Sequence, residues 1–309
     1  MPAVETAEIK SPAALPSSPL EPSSSNVALD VLDPTTEELS ALSSVERAAF
    51  HLAHRMNQGT AKRAMTWLQS TLGMGWIRVA TYNIMRVYGF EHVEATDHAR
   101  PIVLASNHRS FFDMYAVSAE LYRRTTWRKS LFFPVRARFF YTTPPGSLVN
   151  FIMGWFSMYP PIFMTPERRA FDLYSFQRLA TLARTGEGHI IGFHPEGTRN
   201  KSNDPYSFLP PKTGIGKLAM AVEDIQIIPV FVAGLEQKSL IKQVARNWQR
   251  NAEPIRIHFG ASIDLSAFRG KRDALRTHKE IADLVMSHIA ELAERDRELI
   301  HSNIEPMNQ

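Results

Sequence analysis

The sequence of 309 residues contains no cysteine. This absence excludes a thiol nucleophile, a disulfide framework and a metal site built on thiolates. The sequence also lacks a serine in a G-x-S-x-G elbow, the arrangement that activates serine in the α/β-hydrolases. Neither of these two common protein nucleophiles is therefore present.

Long apolar runs are scarce as well. The best candidate for a membrane span, residues 147–164, is uncharged but contains Asn150 and the pair Pro160-Pro161, and proline breaks helices. We therefore expect a buried or interfacial helix followed by a strand in this region. The first ten residues, "MPAVETAEIK", lack the basic and apolar segments of a secretory signal, so we expect no signal peptide.

Acidic residues are absent from two long stretches, although the formal net charge is only +4. Residues 47–90 and 121–138 contain no Asp or Glu, and each stretch contains six Lys or Arg residues. Such basic surfaces suit a polyanionic partner, either nucleic acid or an anionic membrane. The competing interpretation is that both stretches are ordinary solvated faces.

The composition changes along the chain and predicts three regions. Residues 1–43 are rich in Pro, Ser, Ala and Glu and have too few apolar side chains to offset chain entropy, so we expect disorder. Residues 44–90 are expected to form a basic amphipathic helical segment. Its last helix, over 75–90, either lies in the headgroup region of a bilayer or packs on the domain with its arginines in water. Residues 91–302 are expected to form an α/β domain.

In this third region, short apolar segments alternate with helical ones. This alternation indicates a mostly parallel mixed sheet covered by helices on both faces. The predicted strands are 101–106, 131–135, 161–164, 189–193, 227–233 and 254–259. The predicted helices are 113–124, 170–184, 213–223 and 271–300.

Polar clusters directly follow three of these strands. They are residues 106–113 ("SNHRSFFD"), 165–169 ("TPERR") and 194–200 ("HPEGTRN"). Ligands of open α/β sheets collect at the carboxyl ends of the strands. The coincidence of three clusters at such ends therefore predicts a functional site there.

The first cluster contains a pair of residues suited to proton transfer. A neutral imidazole such as that of His108 can remove a proton from a hydroxyl near neutral pH. Asp113, five residues on, can hold the other ring nitrogen and fix its tautomer. The competing interpretation is a structural histidine that caps a helix. Because no protein nucleophile accompanies the pair, it favours activation of a substrate hydroxyl and direct transfer without a covalent intermediate.

The third cluster suits an anion. Gly197 lets the backbone approach a ligand closely, Arg199 offers a planar fork that matches phosphate, and Thr198 adds a neutral donor. Lys212 in "LPPKTGIGKLA" is a second candidate anion contact, next to a flexible glycine pair ahead of a helix. The alternative is an ordinary turn that caps a helix.

Taken together, these motifs resemble a known family. "NHRSFFD" at 107–113 and "HPEGTR" at 194–199 occur in the order found in the glycerolipid acyltransferases, particularly the bacterial 1-acyl-glycerol-3-phosphate acyltransferases. "KTGIGKLA" and "IIPVFV" resemble that family's later blocks, so the resemblance covers residues 75–260. His194 stands where the family usually has Phe.

The resemblance implies transfer of an acyl chain from acyl-CoA or acyl carrier protein to a glycerolipid hydroxyl, by default that of 1-acyl-glycerol 3-phosphate. It implies His108 as the general base and Asp113 as its orienting partner, with no cofactor and no metal. The middle motif, "PPIFMTPERR", departs from the family pattern. The residues implied to bind the acceptor are Glu196, Gly197, Thr198, Arg199, Lys212 and either Arg168 or Arg169.

The same resemblance gives the basic helices a purpose, because lipid substrates require an enzyme that works at a bilayer. It implies a peripheral membrane protein on the cytoplasmic face of the inner membrane, partnered by an anionic membrane surface rather than nucleic acid. Glycerol 3-phosphate and a lyso-amino lipid are alternative acceptors. Alternatives from other classes are a non-catalytic lipid-binding protein and a metal-dependent hydrolase with the ligands His108, Asp113, His194 and Glu196.

Overall fold

The computed structural model describes residues 33–185, 188–237 and 239–302. The helices in these residues are α1 (Thr36–Ser40), α2 (Ser44–Met56), α3 (Gly59–Leu68), α4 (Met74–Thr81), α5 (Glu91–Glu94), α6 (Asp113–Arg124), α7 (Ala137–Phe140), α8 (Pro144–Gly154), α9 (Arg169–Thr185), α10 (Gly214–Ala221), α11 (Leu240–Asn247) and α12 (Leu275–His301). The strands are β1 (Met85–Tyr88), β2 (Ile102–Ser106), β3 (Ser130–Phe132), β4 (Val135–Arg136), β5 (Pro161–Ile162), β6 (His189–Phe193), β7 (Gln226–Ala233) and β8 (Ile255–Phe259).

Six strands form the main sheet, in the order β1-β8-β7-β2-β6-β3. Neighbouring strands are parallel except for the antiparallel pair β7 and β8. The mostly parallel mixed sheet predicted from the sequence is confirmed. Because β2 lies between β6 and β7 and is parallel to both, the carboxyl ends of these three strands meet at one edge of the sheet.

Both faces of the sheet are covered by helices, as predicted. Alternate residues of β2 show this, because successive side chains of a strand point to opposite faces. Val103 and Ala105 belong to a core with residues of α9, α10 and α12, whereas Ile102 and Leu104 belong to a second core with residues of α6. Each apolar side chain buried in this way contributes about 1.5–3 kcal/mol.

The glycine pair Gly214 and Gly216, which was expected to be flexible and to precede a helix, lies inside α10. Gly216 is buried, and a Cβ atom at this position would lie 2.0 Å from the carbonyl oxygen of His278 in α12. Only glycine allows this close approach of the two helices. Gly216 therefore serves helix packing rather than flexibility.

The amino-terminal helices pack on the α/β core. Phe50 of α2 is fully buried and makes an edge-to-face contact with Phe171 of α9, with ring centroids 4.9 Å apart. In α3, the buried Lys62 donates to the Leu131 carbonyl of β3 at 2.7 Å, and burial lowers its pKa to about 7. These helices are thus part of the folded domain.

The folded region begins earlier than predicted. Helix α1 lies within the segment 1–43 that was expected to be disordered, and a capping box between Thr35 and Glu38 stabilises its first turn. Leu42 is buried in the core. Disorder is therefore the wrong prediction for residues 33–43, while residues 1–32 lie outside the described part of the chain.

The predicted helix over 75–90 is only half correct. Helix α4 ends at Thr81, and residues 85–88 form the edge strand β1, which pairs in parallel with β8. The apolar run is compatible with either structure, and its pairing partner lies far away in the sequence. The domain boundary at residue 90 is consequently wrong, because β1 belongs to the main sheet.

Two predicted strands are arranged differently from the expectation. Residues 131–135 divide between β3, in the main sheet, and β4, because Pro134 has no N–H to continue the ladder. Strand β5 pairs with β4 in a separate two-stranded sheet. The cluster "TPERR" therefore does not follow a strand of the main sheet.

Residues 147–164 hold the end of helix α8 and then strand β5, as the sequence predicted. Among the described residues, no helix combines the length and the apolar character needed to cross a bilayer.

Candidate active site

The chain leaves β2 at Ser106 and enters α6 at Asp113, and the intervening turn brings His108 and Asp113 together. Nδ1 of His108 lies 3.2 Å from Oδ2 of Asp113. The imidazole side chain is 21% exposed, whereas the carboxyl side chain is 1% exposed. The pair predicted from the sequence therefore exists, with its histidine open to the surface and its aspartate buried.

Asp113 is held by backbone donors as well as by the imidazole. Its Oδ2 accepts the backbone N–H groups of Arg109 and Ser110, both at 2.8 Å. Burial raises the pKa of Asp113 to about 6, against the lowering effects of His194, the two N–H groups and the Arg109 charge. Asp113 is thus ionised at neutral pH and accepts the proton on Nδ1 of His108, which leaves the lone pair on Nε2.

His108 is neutral under the same conditions. Burial lowers its pKa to about 3, and the nearby positive charge of Arg199 acts in the same direction. A neutral imidazole with a free Nε2 is the form that can accept a proton.

The backbone of His108 is fixed by the third cluster. Its N–H donates to Oε2 of Glu196 at 2.6 Å, and its carbonyl accepts the N–H of Asn200 at 2.7 Å. The other carboxyl oxygen of Glu196 accepts the N–H of Leu209 at 2.8 Å. Burial raises the pKa of Glu196, and these two N–H donors oppose the rise. Both carboxyl oxygens of Glu196 therefore accept backbone N–H groups. These contacts indicate that Glu196 positions the backbone, whereas the sequence predicted that it binds the acceptor.

The turn is also tied to β7. Asn107 is fully buried and its side chain imitates a peptide group, donating to the Val232 carbonyl at 2.9 Å and accepting the Val232 N–H at 2.8 Å. The Ser110 hydroxyl donates to the Glu236 carbonyl at 2.7 Å. These bonds fix the turn between the ends of β6 and β7.

His194, at the end of β6, covers one face of the His108 ring. The two rings are nearly parallel, with centroids 3.9 Å apart and an interplanar angle of 11°. Nδ1 of His194 lies 3.0 Å from the Ser106 carbonyl and 3.1 Å from the Asn107 carbonyl, so it carries the proton. Burial lowers the pKa of His194 to about 3, and the repulsion from a protonated His108 would act in the same direction.

The same stack argues against the metal-dependent hydrolase. Ligand atoms of His108, Asp113 and His194 lie within 4.8 Å of one another. However, the lone pair of an imidazole nitrogen lies in the plane of the ring. The rings of His108 and His194 lie in two nearly parallel planes, so their lone pairs cannot both point at one ion. Glu196, the fourth candidate ligand, is occupied by backbone N–H groups.

Exposed cationic and neutral donors follow β6 on the side of His108. Thr198 and Arg199 are exposed, and Arg199 is close enough to depress the pKa of His108. Gly197 has a φ angle of 66°, a conformation that favours glycine. A Cβ atom there would lie 3.1 Å from Cγ of Lys212. Gly197, Thr198, Arg199 and Lys212 thus lie close to one another, and their role in binding the acceptor stays a prediction.

The two arginines of the middle motif differ in their surroundings. Arg168 makes an ion pair with Glu46 of α2 at 2.9 Å and lies over the Phe163 ring. Arg169 is exposed and forms no ion pair or side-chain hydrogen bond with residues in the described ranges. Of the two predicted acceptor contacts, Arg169 is therefore the one whose guanidinium is available, and Arg168 anchors α2.

A family model described as acyltransferase matches residues 84–233, which run from the start of β1 to the end of β7 and include the whole site. This domain belongs to the acyltransferase family. Residues 84–233 therefore form an acyltransferase domain, and the candidate active site lies within it, at the junction of β2, β6 and β7.

Comparison with individual proteins adds little to this assignment. No curated protein sequence matches the chain significantly. A crystal structure of the 1-acyl-sn-glycerophosphate acyltransferase PlsC from Thermotoga maritima is similar, with a TM-score of 0.46 and 17% identity over 80% of this chain and 87% of that one. The roles given to residues of this acyltransferase therefore rest on its own geometry.

Sequence reasoning missed three contributors to the site. Asn107 bridges to β7, and Arg109 is buried, where its guanidinium donates to the Ser202 carbonyl and its charge lowers the pKa of Asp113. The stacking role of His194 was also unforeseen. The polar run at the end of a buried strand could have indicated Asn107 and Arg109. Their partners, Val232 and Ser202, lie in distant segments that the sequence does not connect to them.

The scaffold role of Glu196 is testable by isosteric replacement. Glu196→Gln should lower the free energy of unfolding by about 1–3 kcal/mol, because the new amide NH2 faces a buried N–H donor. The control Glu298→Gln, on the exposed face of α12, should stay within about 0.5 kcal/mol of the wild type. Urea unfolding measures both, and an unchanged Glu196→Gln protein would contradict the role.

Proposed function

We propose that this acyltransferase moves a fatty acyl chain from acyl-CoA or acyl carrier protein to the hydroxyl of a lysophospholipid, with 1-acyl-glycerol 3-phosphate as acceptor and phosphatidic acid as product. The single observation that carries the proposal is the pairing of a neutral, oriented His108 with the exposed cation Arg199 at the same opening. A base beside a phosphate-binding group suits an acceptor that has both a hydroxyl and a phosphate.

The proposed reaction needs only one base. Nε2 of His108 takes the proton of the acceptor hydroxyl as its oxygen attacks the thioester carbonyl carbon. The carbon–sulfur bond then breaks, and the imidazolium returns the proton to the leaving thiolate. Asp113 stabilises the transient imidazolium and keeps the ring in place. The stacked His194, held neutral by burial, adds no competing positive charge.

The phosphate of the acceptor is proposed to lie against Arg199, with Lys212 and Thr198 beside it. Arg199 forms no ion pair within the described ranges, so its planar fork is available for two charge-assisted hydrogen bonds. Each such bond contributes about 1.5–3 kcal/mol. Glycerol 3-phosphate would satisfy the same groups, whereas a lyso-amino lipid without phosphate would not.

The lipid nature of the acceptor places the enzyme at a bilayer. We propose a peripheral membrane protein on the cytoplasmic face of the inner membrane, attracted by the exposed arginines of α2, α3 and α4. Each Lys or Arg near an anionic surface adds about 1 kcal/mol to membrane attraction. Nucleic acid is not a proposed partner.

The reaction and its base can be tested together. Purified protein is incubated with acyl-CoA or acyl carrier protein and a panel of lysolipids and glycerol 3-phosphate, and the lipids are analysed by mass spectrometry. We expect phosphatidic acid as the main product from the wild type. His108→Ala should lower turnover about 10²–10⁴-fold, since positioned proton transfer is worth that much. Asp113→Asn should be nearly as inactive.

The exposed histidine of α2 provides the control, because His51→Ala should leave turnover unchanged. A His108→Ala enzyme that kept more than about a tenth of wild-type turnover would rule out the general base. A wild-type enzyme that acylated every acceptor on the panel except the phosphorylated ones would rule out the proposed substrate.

The phosphate contact predicts a change in KM. Arg199→Lys keeps the charge but loses the planar fork, so the KM for the phosphorylated acceptor should rise about tenfold to a hundredfold. The KM for the acyl donor should move less. Steady-state kinetics on a soluble short-chain acceptor measure both constants.

Arg168→Ala and Arg169→Ala provide a matched pair of variants to compare with Arg199→Lys. Arg169→Ala should raise the acceptor KM, whereas Arg168→Ala should mainly lower stability by freeing the buried carboxylate of Glu46. If all three variants only weakened vesicle binding while their kinetics on the soluble acceptor stayed normal, these arginines would contact membrane headgroups instead.

A further inference from the structure

Helix α11, which the sequence analysis did not predict, lies against α4 and leaves a row of apolar side chains in solvent. Ile241 of α11 is 81% exposed, and Trp248, the residue that follows α11, is 68% exposed. Val79 of α4 and Tyr82, the residue that follows α4, are also exposed. These four side chains define the α4–α11 surface. Exposed apolar groups gathered in one patch indicate an interaction site.

The geometry of this surface is fixed from beneath. The buried side chain of Gln243 donates to the Ala80 carbonyl at 3.0 Å, and that of Asn247 donates to the Val79 carbonyl at 2.8 Å. Trp248 joins the two helices from the outer side, where its indole N–H donates to Val79 at 3.3 Å. The face of α11 that contacts α4 therefore has polar side chains that form hydrogen bonds, whereas the apolar Ile241 is exposed to solvent.

Most charged residues around the α4–α11 surface are basic, although the exposed Glu253 lies beside Arg246. Residues 239–252 contain Lys242, Arg246 and Arg250 and no acid, and residues 47–90 contain no acid either. Arg78 is exposed and lies over the Tyr82 ring. Apolar side chains that protrude among cations match a bilayer with anionic headgroups, where Trp and Tyr lie at the interface and Lys and Arg reach the phosphates.

The position of the surface links it to the active site. Helix α11 follows β7. In the segment between them, the Glu236 carbonyl accepts a hydrogen bond from the Ser110 hydroxyl. Helix α4 packs on α6, which begins at Asp113, through the contact of Trp76 with Phe112 and Tyr115. A bilayer touching this surface would therefore meet the edge of the sheet that carries His108.

We propose that the α4–α11 surface docks the enzyme on an anionic lipid bilayer, with Ile241 and Trp248 inserted among the lipids. The inference rests on the proposed function in that the acceptor lipid reaches His108 from this bilayer. An acidic protein such as acyl carrier protein is the competing occupant. Ile241 and Trp248 are exposed together with Lys242 and Arg250, and this combination suits the interface of an anionic bilayer.

Vesicle sedimentation tests the proposal with a matched control. Ile241→Ser/Trp248→Ser should weaken binding to phosphatidylglycerol vesicles at least about tenfold. Leu275→Ser should bind as the wild type does, because Leu275 is 71% exposed but lies on α12, which packs on the other face of the sheet. Lys242→Gln and Arg250→Gln should each cost about fivefold and reduce the preference for phosphatidylglycerol over phosphatidylcholine.

A second measurement does not depend on the double variant being folded. Brominated lipid in the vesicles should quench tryptophan fluorescence of the wild type, and Trp248→Phe should remove a large part of that quenching. Normal sedimentation of the double variant, or quenching unchanged by Trp248→Phe, would overturn the proposal. So would a double variant that kept vesicle binding and lost only transfer from acyl carrier protein. Failure of the proposed function is distinct, since it appears as missing phosphatidic acid with the wild type.

Discussion

The buried carboxylate of Asp113 is the group on which the rest of the site depends. One of its oxygens accepts hydrogen bonds from the backbone N–H groups of Arg109 and Ser110 and from the Nδ1–H of His108. The two backbone bonds close the turn that starts α6, and the third bond fixes the imidazole. Burial alone would push this carboxyl toward its neutral form, and the donors and the Arg109 charge oppose that shift. The same contacts thus shape the turn and set the proton on the imidazole.

The strand order explains why groups far apart in sequence act together. Strands β2, β6 and β7 are adjacent and parallel, so the turn after β6 can hold the turn after β2. Glu196 does this from inside, with both oxygens on backbone N–H groups, while Arg199 and Lys212 remain at the surface. Buried carboxylates therefore build the site, and exposed cations are left for an anionic substrate.

Sequence reasoning captured the parts that depend on local pattern. The core strands are near-continuous apolar runs, and the spacing of His108 and Asp113 fits a turn into a helix. It failed where partners are distant. Strand β1 was mistaken for helix because only pairing with β8 decides its structure, and β5 was assigned to the wrong sheet. The contacts of Glu196 and His194 and the outer face of α11 depend on tertiary neighbours that no local pattern encodes.

The proposed role of His108 requires a neutral imidazole, with its proton on Nδ1 and a free Nε2. The direct measurement is ¹H–¹⁵N correlation NMR of imidazole-labelled protein across pH, with His108→Ala to assign the signal. We expect an Nδ1–H tautomer that gains no second ring proton between about pH 5 and pH 8, with only a small shift as Asp113 titrates at a pKa of about 6. An Nε2 signal that moves to the imidazolium position near the ordinary pKa of about 6.5, or that reports the Nε2–H tautomer, would contradict the proposed base.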